Sequence, residues 1–235
     1  MSGYTALTNL LTDYNNPKSL GYIFRRRRAQ KLIEILEIIH RREGCINIID
    51  IGGRENYWDI IPDTLFSSLN IKVTLVNNDD ELKAGKSMRV SNSVISQLKG
   101  DGRDLAHLKD NSFDLVHSNS VIEHVGEWDS MKAMAKEINR LALNHFVQTP
   151  NFWFPFEPHF LTPMFHWLPE PIRISLLMRM RLGHIQKRST LDAATKAVQS
   201  IHLLDKKMMS ALFPESSISE EKFFLLSKSI LAIRI

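Results

Sequence analysis

A short apolar run that ends in an acidic residue and two glycines places the strongest constraint on the fold. Residues Ile46–Ile51 are mostly apolar and β-branched, which is typical of a parallel strand buried on both faces. Gly52 and Gly53 follow at once, so a tight strand-to-helix turn is predicted there. This pattern indicates an α/β domain that binds a ligand at the carboxyl ends of its strands. Two glycines alone are a weak signal, because ordinary turns use them too.

Strands and helices are predicted to alternate along the first two thirds of the chain. The predicted strands after the first are Lys72–Val76, Phe113–His117 and His145–Gln148, and the predicted helices are 22–43 and Ser130–Leu143. Gly44 is placed to cap the first helix, and Ser130 or Asp129 to cap the second. Such alternation is typical of a doubly wound α/β sheet.

The C-terminal third is predicted to add a cap and then to complete the sheet. Residues 150–171 hold six of the nine prolines, a composition that favours a packed, irregular insertion over a linker. The helices predicted next are Pro171–Leu182, Leu191–Leu203 and Leu204–Phe213, and the strands are Glu221–Leu226 and Ser229–Ile235. We expect the last strands to close the sheet with an antiparallel edge.

These elements divide the chain into four parts. We predict an N-terminal helical segment (1–44), a ligand-binding core (45–150), a substrate cap insertion (151–203), and a C-terminal helix with strands that complete the sheet (204–235).

Polar residues follow the predicted strands in a regular order. The order is Asn77 after the strand Lys72–Val76, then Asp101-Gly102, then Ser118 with Glu123-His124 after the strand Phe113–His117. The carboxyl ends of parallel strands meet at one edge of a sheet, so these groups are expected to line a single ligand site.

In this order the segments resemble a class I methyltransferase dependent on S-adenosylmethionine (SAM). They are similar to the ubiquinone-type O-methyltransferases and to other small-molecule methyltransferases. The resemblance covers residues 46–150 well and the tail strands moderately. It implies SAM as the cofactor. The fold that it implies is a Rossmann-like, doubly wound, seven-stranded sheet, mostly parallel with an antiparallel last strand, joined by the N-terminal helix and the cap.

The resemblance also implies roles for single residues. Asp50, Gly52 and Gly53 would line the methionine end of SAM, and Asn77 would take the ribose. The implied partners on the other strands are Asp101 for the adenine amino group, the Gly102 backbone for a ring nitrogen, and Ser118 under the sulfonium.

The chain departs from the family pattern at two places. Arg54 and Asn56 stand where later glycines are usual, and Asn77 replaces the usual acid, which would hold ribose without charge-assisted strength. A dehydrogenase is the competing Rossmann interpretation. It is disfavoured because Pro62 interrupts the helix after the turn and the full glycine fingerprint is missing.

Candidate groups for methyl transfer follow the predicted strands Phe113–His117 and His145–Gln148. Glu123, His124 and His159 are candidate general bases, which a hydroxyl acceptor would benefit from. Phe156, Glu157 and His159 are candidate substrate contacts, because polar groups set among aromatics are typical of ligand pockets.

Metal dependence is not expected. A Glu-x-x-Glu-His metal motif would need an acid where Ser120 stands, and hard cations prefer several carboxylates.

Charge and composition restrict the partners without naming one. The net charge is +4, with an unbroken basic run at Arg25 to Arg28 that could contact a membrane or another anionic surface. The single cysteine fits a reducing compartment, so the cytoplasm is the expected location.

Three functions stay open at this point. The first is methyl transfer to a small molecule, such as a glycan, lipid-linked or secondary-metabolite hydroxyl. The second is methylation of RNA or another nucleic acid, which is disfavoured because the aromatics are interleaved with prolines and do not suggest an open groove. The third is a SAM-binding protein without turnover.

Overall fold

The structure is a computed structural model, and it describes residues 19–78, 95–156 and 159–235. Its helices are α1 (Leu20–Glu43), α2 (Asp63–Ser68), α3 (Trp128–Leu141), α4 (Glu170–Arg179), α5 (Leu191–Gln199) and α6 (Lys206–Leu212). Its strands are β1 (Ile46–Ile51), β2 (Ile71–Asn77), β3 (Ile95–Lys99), β4 (Leu115–Asn119), β5 (His145–Pro150), β6 (Ser217–Phe223) and β7 (Leu226–Arg234).

The strands form one seven-stranded sheet in the order β3-β2-β1-β4-β5-β7-β6. Strands β1 to β5 pair in parallel, and β7 pairs antiparallel with both β5 and β6. The predicted Rossmann-like sheet with an antiparallel last strand is therefore confirmed. The antiparallel strand lies inside the sheet, however, between β5 and β6, and β6 forms the edge.

Two hydrophobic clusters cover the two faces of this sheet. On one face α1 and α2 contribute Leu32, Leu36 and Phe66 to a cluster with the strands. On the other, α3 and α6 contribute Met134 and Met209 to a second cluster. Burial on both faces explains why β1 appears in the sequence as a continuous apolar run.

The ends of several elements differ from their sequence predictions. The residue before the first turn of α3 is Glu127, and its side chain makes no capping hydrogen bond, so the predicted cap at Ser130 or Asp129 is wrong. Asp129 instead pairs with Lys132 one turn further along, at 2.7 Å. After the glycine turn a 3₁₀ helix, Glu55–Ile60, takes the place of a long α-helix.

Residues between β5 and α6 contain α4 and α5, which pack against each other around a third cluster. Its buried members are Phe160, Phe165, Leu177, Leu182, Ala194 and Val198. This region borders the carboxyl end of β5, where Pro150 ends the strand. In the described ranges, no helix is long and apolar enough to cross a membrane.

Candidate cofactor and acceptor site

The buried carboxylate of Asp50 stabilises the turn after β1. Asp50 is completely buried, and its two carboxylate oxygens accept hydrogen bonds from Trp58 Nε1 at 2.9 Å and His117 Nδ1 at 2.7 Å. A Cβ at Gly53 would collide with this carboxylate, so only glycine fits there. The Asp50 carboxylate thus stabilises the turn and is not exposed at the sheet edge, and the prediction that Asp50 lines the methionine end of SAM stays a prediction.

Neighbouring turns approach the β1 turn closely. Gly52 has a φ of 72°, and a Cβ there would lie 2.5 Å from Val121, in the segment after β4. A Cβ at Gly102, after β3, would lie 2.5 Å from the Ile51 side chain. Ser118 is buried and its Oγ donates to the Ile51 carbonyl at 3.1 Å. Ser118 thus ties β4 to the end of β1, and its predicted place under a sulfonium stays a prediction.

Two polar side chains remain suited to a nucleoside at this edge. The Asn77 amide donates to the Gly53 carbonyl at 2.7 Å, which orients the side chain and leaves its oxygen as the acceptor for a hydroxyl. The Asp101 carboxylate is 48% exposed and bonds Arg103 Nη2 at 2.6 Å. Hydrogen bonds from Arg103 hold the pKa of Asp101 below its usual range, so the carboxylate stays charged and can accept from an amino group.

The predicted base candidates come together after β4. His124 Nε2 lies 3.0 Å from His159 Nε2, and His124 Nδ1 lies 3.2 Å from the Ser200 carbonyl oxygen. Glu123 is completely buried, accepts from Thr149 Oγ1 at 2.9 Å, and lies 4.0 Å from His124 Nε2. Glu123 therefore lies buried behind His124, and its predicted role as a base stays a prediction.

A network of buried polar groups links α1 to the ends of β4, β5 and β6. Arg28 pairs with Glu221 at 2.7 Å and also donates to Asn119 and Gln148. Arg25, in the same predicted basic run, donates to the Asn56 carbonyl at 2.5 Å. The run is thus not a continuous basic surface, because only Arg26 and Arg27 within it are exposed.

The predicted substrate contacts are separated. Phe156 is 39% exposed and its ring lies near Phe154. Glu157 lies outside the described residues. A cavity of about 380 Å³ lies instead between α3, the segment after β5, α4 and residues 201–203, and Phe160 and Arg173 are among its lining residues.

Comparison with known proteins agrees with this geometry. Residues 62–144 match the family model described as a methyltransferase domain. This part of the chain is therefore similar to a methyltransferase domain. No curated protein matches the chain significantly.

Solved structures share the fold of this methyltransferase at low sequence identity. An O-methyltransferase family protein from Burkholderia thailandensis is 9% identical, with a TM-score of 0.51 and coverage of 89% of this chain and 56% of its own. Magnesium protoporphyrin IX methyltransferase from Synechocystis PCC 6803, with bound S-adenosylhomocysteine (SAH), is 10% identical, with a TM-score of 0.50 and coverage of 99% and 94%. The predicted class I SAM-dependent methyltransferase is confirmed at the level of domain and fold.

Several residues that build the candidate site escaped the sequence analysis. Trp58 and His117, which hold Asp50, carry no motif of their own, and Arg28 looked like part of a surface run. Among the described residues, no group of three or more histidine, cysteine, aspartate or glutamate side chains could hold a metal ion.

Proposed function

We propose that this methyltransferase binds SAM at the carboxyl ends of β1 to β4 and methylates a hydroxyl group of a small molecule. The cofactor part is supported by three neighbouring features: the glycine turn after β1, the Asn77 amide and the exposed Asp101 carboxylate. The observation that carries the acceptor part is the contact between His124 and His159 after β4.

The residues at the edge fit the parts of SAM. The Gly52-Gly53 backbone would hold the methionine end, Asn77 a ribose hydroxyl, and Asp101 the adenine amino group, with the Gly102 N–H at a ring nitrogen. When bound, SAM supplies a methyl group on a sulfonium, which a nucleophile displaces in line.

The hydrogen bonds fix where a proton can go. His124 Nδ1 must donate, because the Ser200 carbonyl can only accept. Neutral His124 therefore accepts at Nε2 from His159 Nε2–H, and the lone pair of His159 lies on Nδ1.

This arrangement suits general base catalysis. His159 Nδ1 takes the proton of the acceptor hydroxyl as its oxygen attacks the methyl group. The buried Glu123 carboxylate, 4.0 Å from His124 Nε2, stabilises the positive charge that the two histidines then share.

Other acceptors have less support. A nucleic-acid acceptor would favour a continuous basic surface, whereas Arg28 is buried and paired with Glu221. A lipid-linked acceptor would be compatible with apolar residues exposed on the cap, such as Trp153 and Ile172. These possibilities, and a SAM-binding protein without turnover, are outcomes of the test below.

The test measures SAH formation from SAM and a panel of small hydroxyl compounds, with lipid-linked hydroxyls and RNA as further arms. We expect turnover with a small hydroxyl compound. His159→Gln should lower kcat by roughly 10²- to 10⁴-fold, the usual contribution of a general base, and leave the KM for SAM unchanged. His107→Gln changes an exposed histidine outside the pair formed by His124 and His159 and should leave kcat unchanged.

Two results would contradict the proposal. SAH binding without turnover on any acceptor would indicate a protein that only binds the cofactor. Equal losses of kcat and of SAM affinity in His159→Gln would remove the role of His159 as a base.

A further inference from the structure

The cavity beside α4 has a largely apolar lining and one arginine, Arg173. Its volume is about 380 Å³, and much of its lining is apolar or aromatic. The apolar lining residues that define its shape are Trp128, Met131, Phe152, Phe160, Leu203 and Met208. Arg173 and Glu127 bring the two formal charges, and His166 and His202 are its other polar side chains. Such a lining is typical of a small-molecule site.

Arg173 is held in this wall without a protein partner for its charge. Its Nε atom is buried and has no hydrogen-bond partner. Within the described ranges it forms no ion pair within 4.0 Å, whereas Arg28, Arg103 and Arg140 each pair with a carboxylate. Burial lowers the pKa of Arg173, with a smaller opposing effect from Glu170. A half-buried guanidinium of this kind is costly unless a ligand supplies the missing acceptor.

The cavity adjoins the two histidines of the proposed reaction. Phe160, in its wall, follows His159 directly in the chain. On the other side, Ser200 accepts from His124, and the His202 N–H donates to the Glu123 carbonyl at 2.8 Å. A molecule in the cavity would thus extend from Arg173 toward the histidines.

We infer that the cavity binds a small acceptor with an apolar body and one carboxylate, which Arg173 holds by its guanidinium. The fork of N–H donors in arginine matches a carboxylate. Glu127 in the same lining would repel a second negative charge, which favours a monocarboxylate over a phosphate dianion. The identification of this ligand as the methyl acceptor rests on the proposed function, but the binding itself can be measured without SAM.

The test compares two probes that differ only in charge. Binding of 4-hydroxycinnamate and of its uncharged amide is followed by calorimetry. We expect the carboxylate to bind about 10- to 100-fold more tightly than the amide, as a charge-assisted hydrogen bond implies.

Variants on the same helix separate Arg173 from general effects. Arg173→Met should lose this 10- to 100-fold preference and leave binding of the amide unchanged. Arg179→Met, at an exposed position of α4 outside the cavity lining, should bind both probes as the unchanged protein does. SAH binding by each variant reports that it is folded.

The outcomes distinguish this inference from the proposed function. Equal affinity for the two probes, or equal losses in both arginine variants, would overturn the inference even if SAH binds. A carboxylate preference that depends on Arg173 would support it even if no methyl transfer is found, and the proposed function alone would then fail.

Discussion

The fold places two arginines, Arg28 and Arg173, in opposite situations. Arg28 lies at the carboxyl edge of the sheet, where Glu221, Asn119 and Gln148 satisfy its guanidinium. Arg173 lies in the wall of the cavity with a buried Nε that has no partner. A buried charge that the protein pairs itself supports the structure, whereas one left unpaired beside a cavity is available to a ligand.

The same contrast separates the two halves of the site. Below the cofactor edge, Asp50 is fully hydrogen-bonded by Trp58 and His117, and Ser118 bonds to Ile51. That half is a rigid support. The proposed acceptor half consists of the paired histidines His124 and His159 and of the cavity lined by Arg173.

The largest change in the free energy of unfolding is expected when Arg28, the paired arginine, is replaced. Arg28→Met should lower the free energy of unfolding by about 3–5 kcal/mol, because it leaves the Glu221 carboxylate, only 13% exposed, without its partner. Denaturant unfolding measures the change. Arg26→Met, at an exposed position of the same helix, should stay within about 0.5 kcal/mol. Similar values for both variants would show that the Arg28 network is not structural.

A smaller loss in the free energy of unfolding is expected when Asp50, which stabilises the glycine turn, is replaced. Asp50→Asn keeps the shape, but its one amide oxygen can accept from only one of the two donors, Trp58 Nε1 and His117 Nδ1, and its NH2 group then faces the other donor. We expect a loss of about 2 kcal/mol in unfolding free energy together with weaker SAH binding. Unchanged stability would contradict the supporting role of Asp50.

The smallest effect on stability is expected at the unpaired arginine. Arg173→Met removes a charge that burial disfavours, so the free energy of unfolding should change by less than about 0.5 kcal/mol or increase. Thermal and denaturant unfolding measure this. A loss as large as that of Arg28→Met would show that Arg173 is structural, and the contrast between the two arginines would fail.

Local sequence patterns were enough to predict most of the fold. The strand Ile46–Ile51 has the predicted limits, because its apolar run is bounded by turn residues and buried on both faces. The edge strand is less well predicted: Ser217–Phe223 was expected at Glu221–Leu226, since this strand is exposed or half-buried along its whole length and carries charged residues. The first turn of α3 was misplaced because its Glu127 cap makes no side-chain hydrogen bond that a motif would show.

The sequence predicted which residues are candidates for the site, but it did not predict the contacts between them. His124 and His159 were both expected near the chemistry, but their 3.0 Å contact depends on how the cap folds back over β4. Arg28 and Glu221 are 193 positions apart, so no local pattern reveals their pairing. The burial of Asp50 and Ser118 likewise depends on neighbouring strands and could not be read from the turn itself.

The central claim is that the edge formed around Gly52 binds SAM, and calorimetry with SAH tests it most directly. The unchanged protein should bind SAH. Gly52→Val should abolish binding, because the φ of 72° and the contact with Val121 leave no room for a β-branched side chain. Gly44→Val, at another positive φ with nothing within 4 Å, controls for backbone strain and should still bind. Absence of SAH binding by the folded protein, or equal affinity in Gly52→Val, would contradict the account.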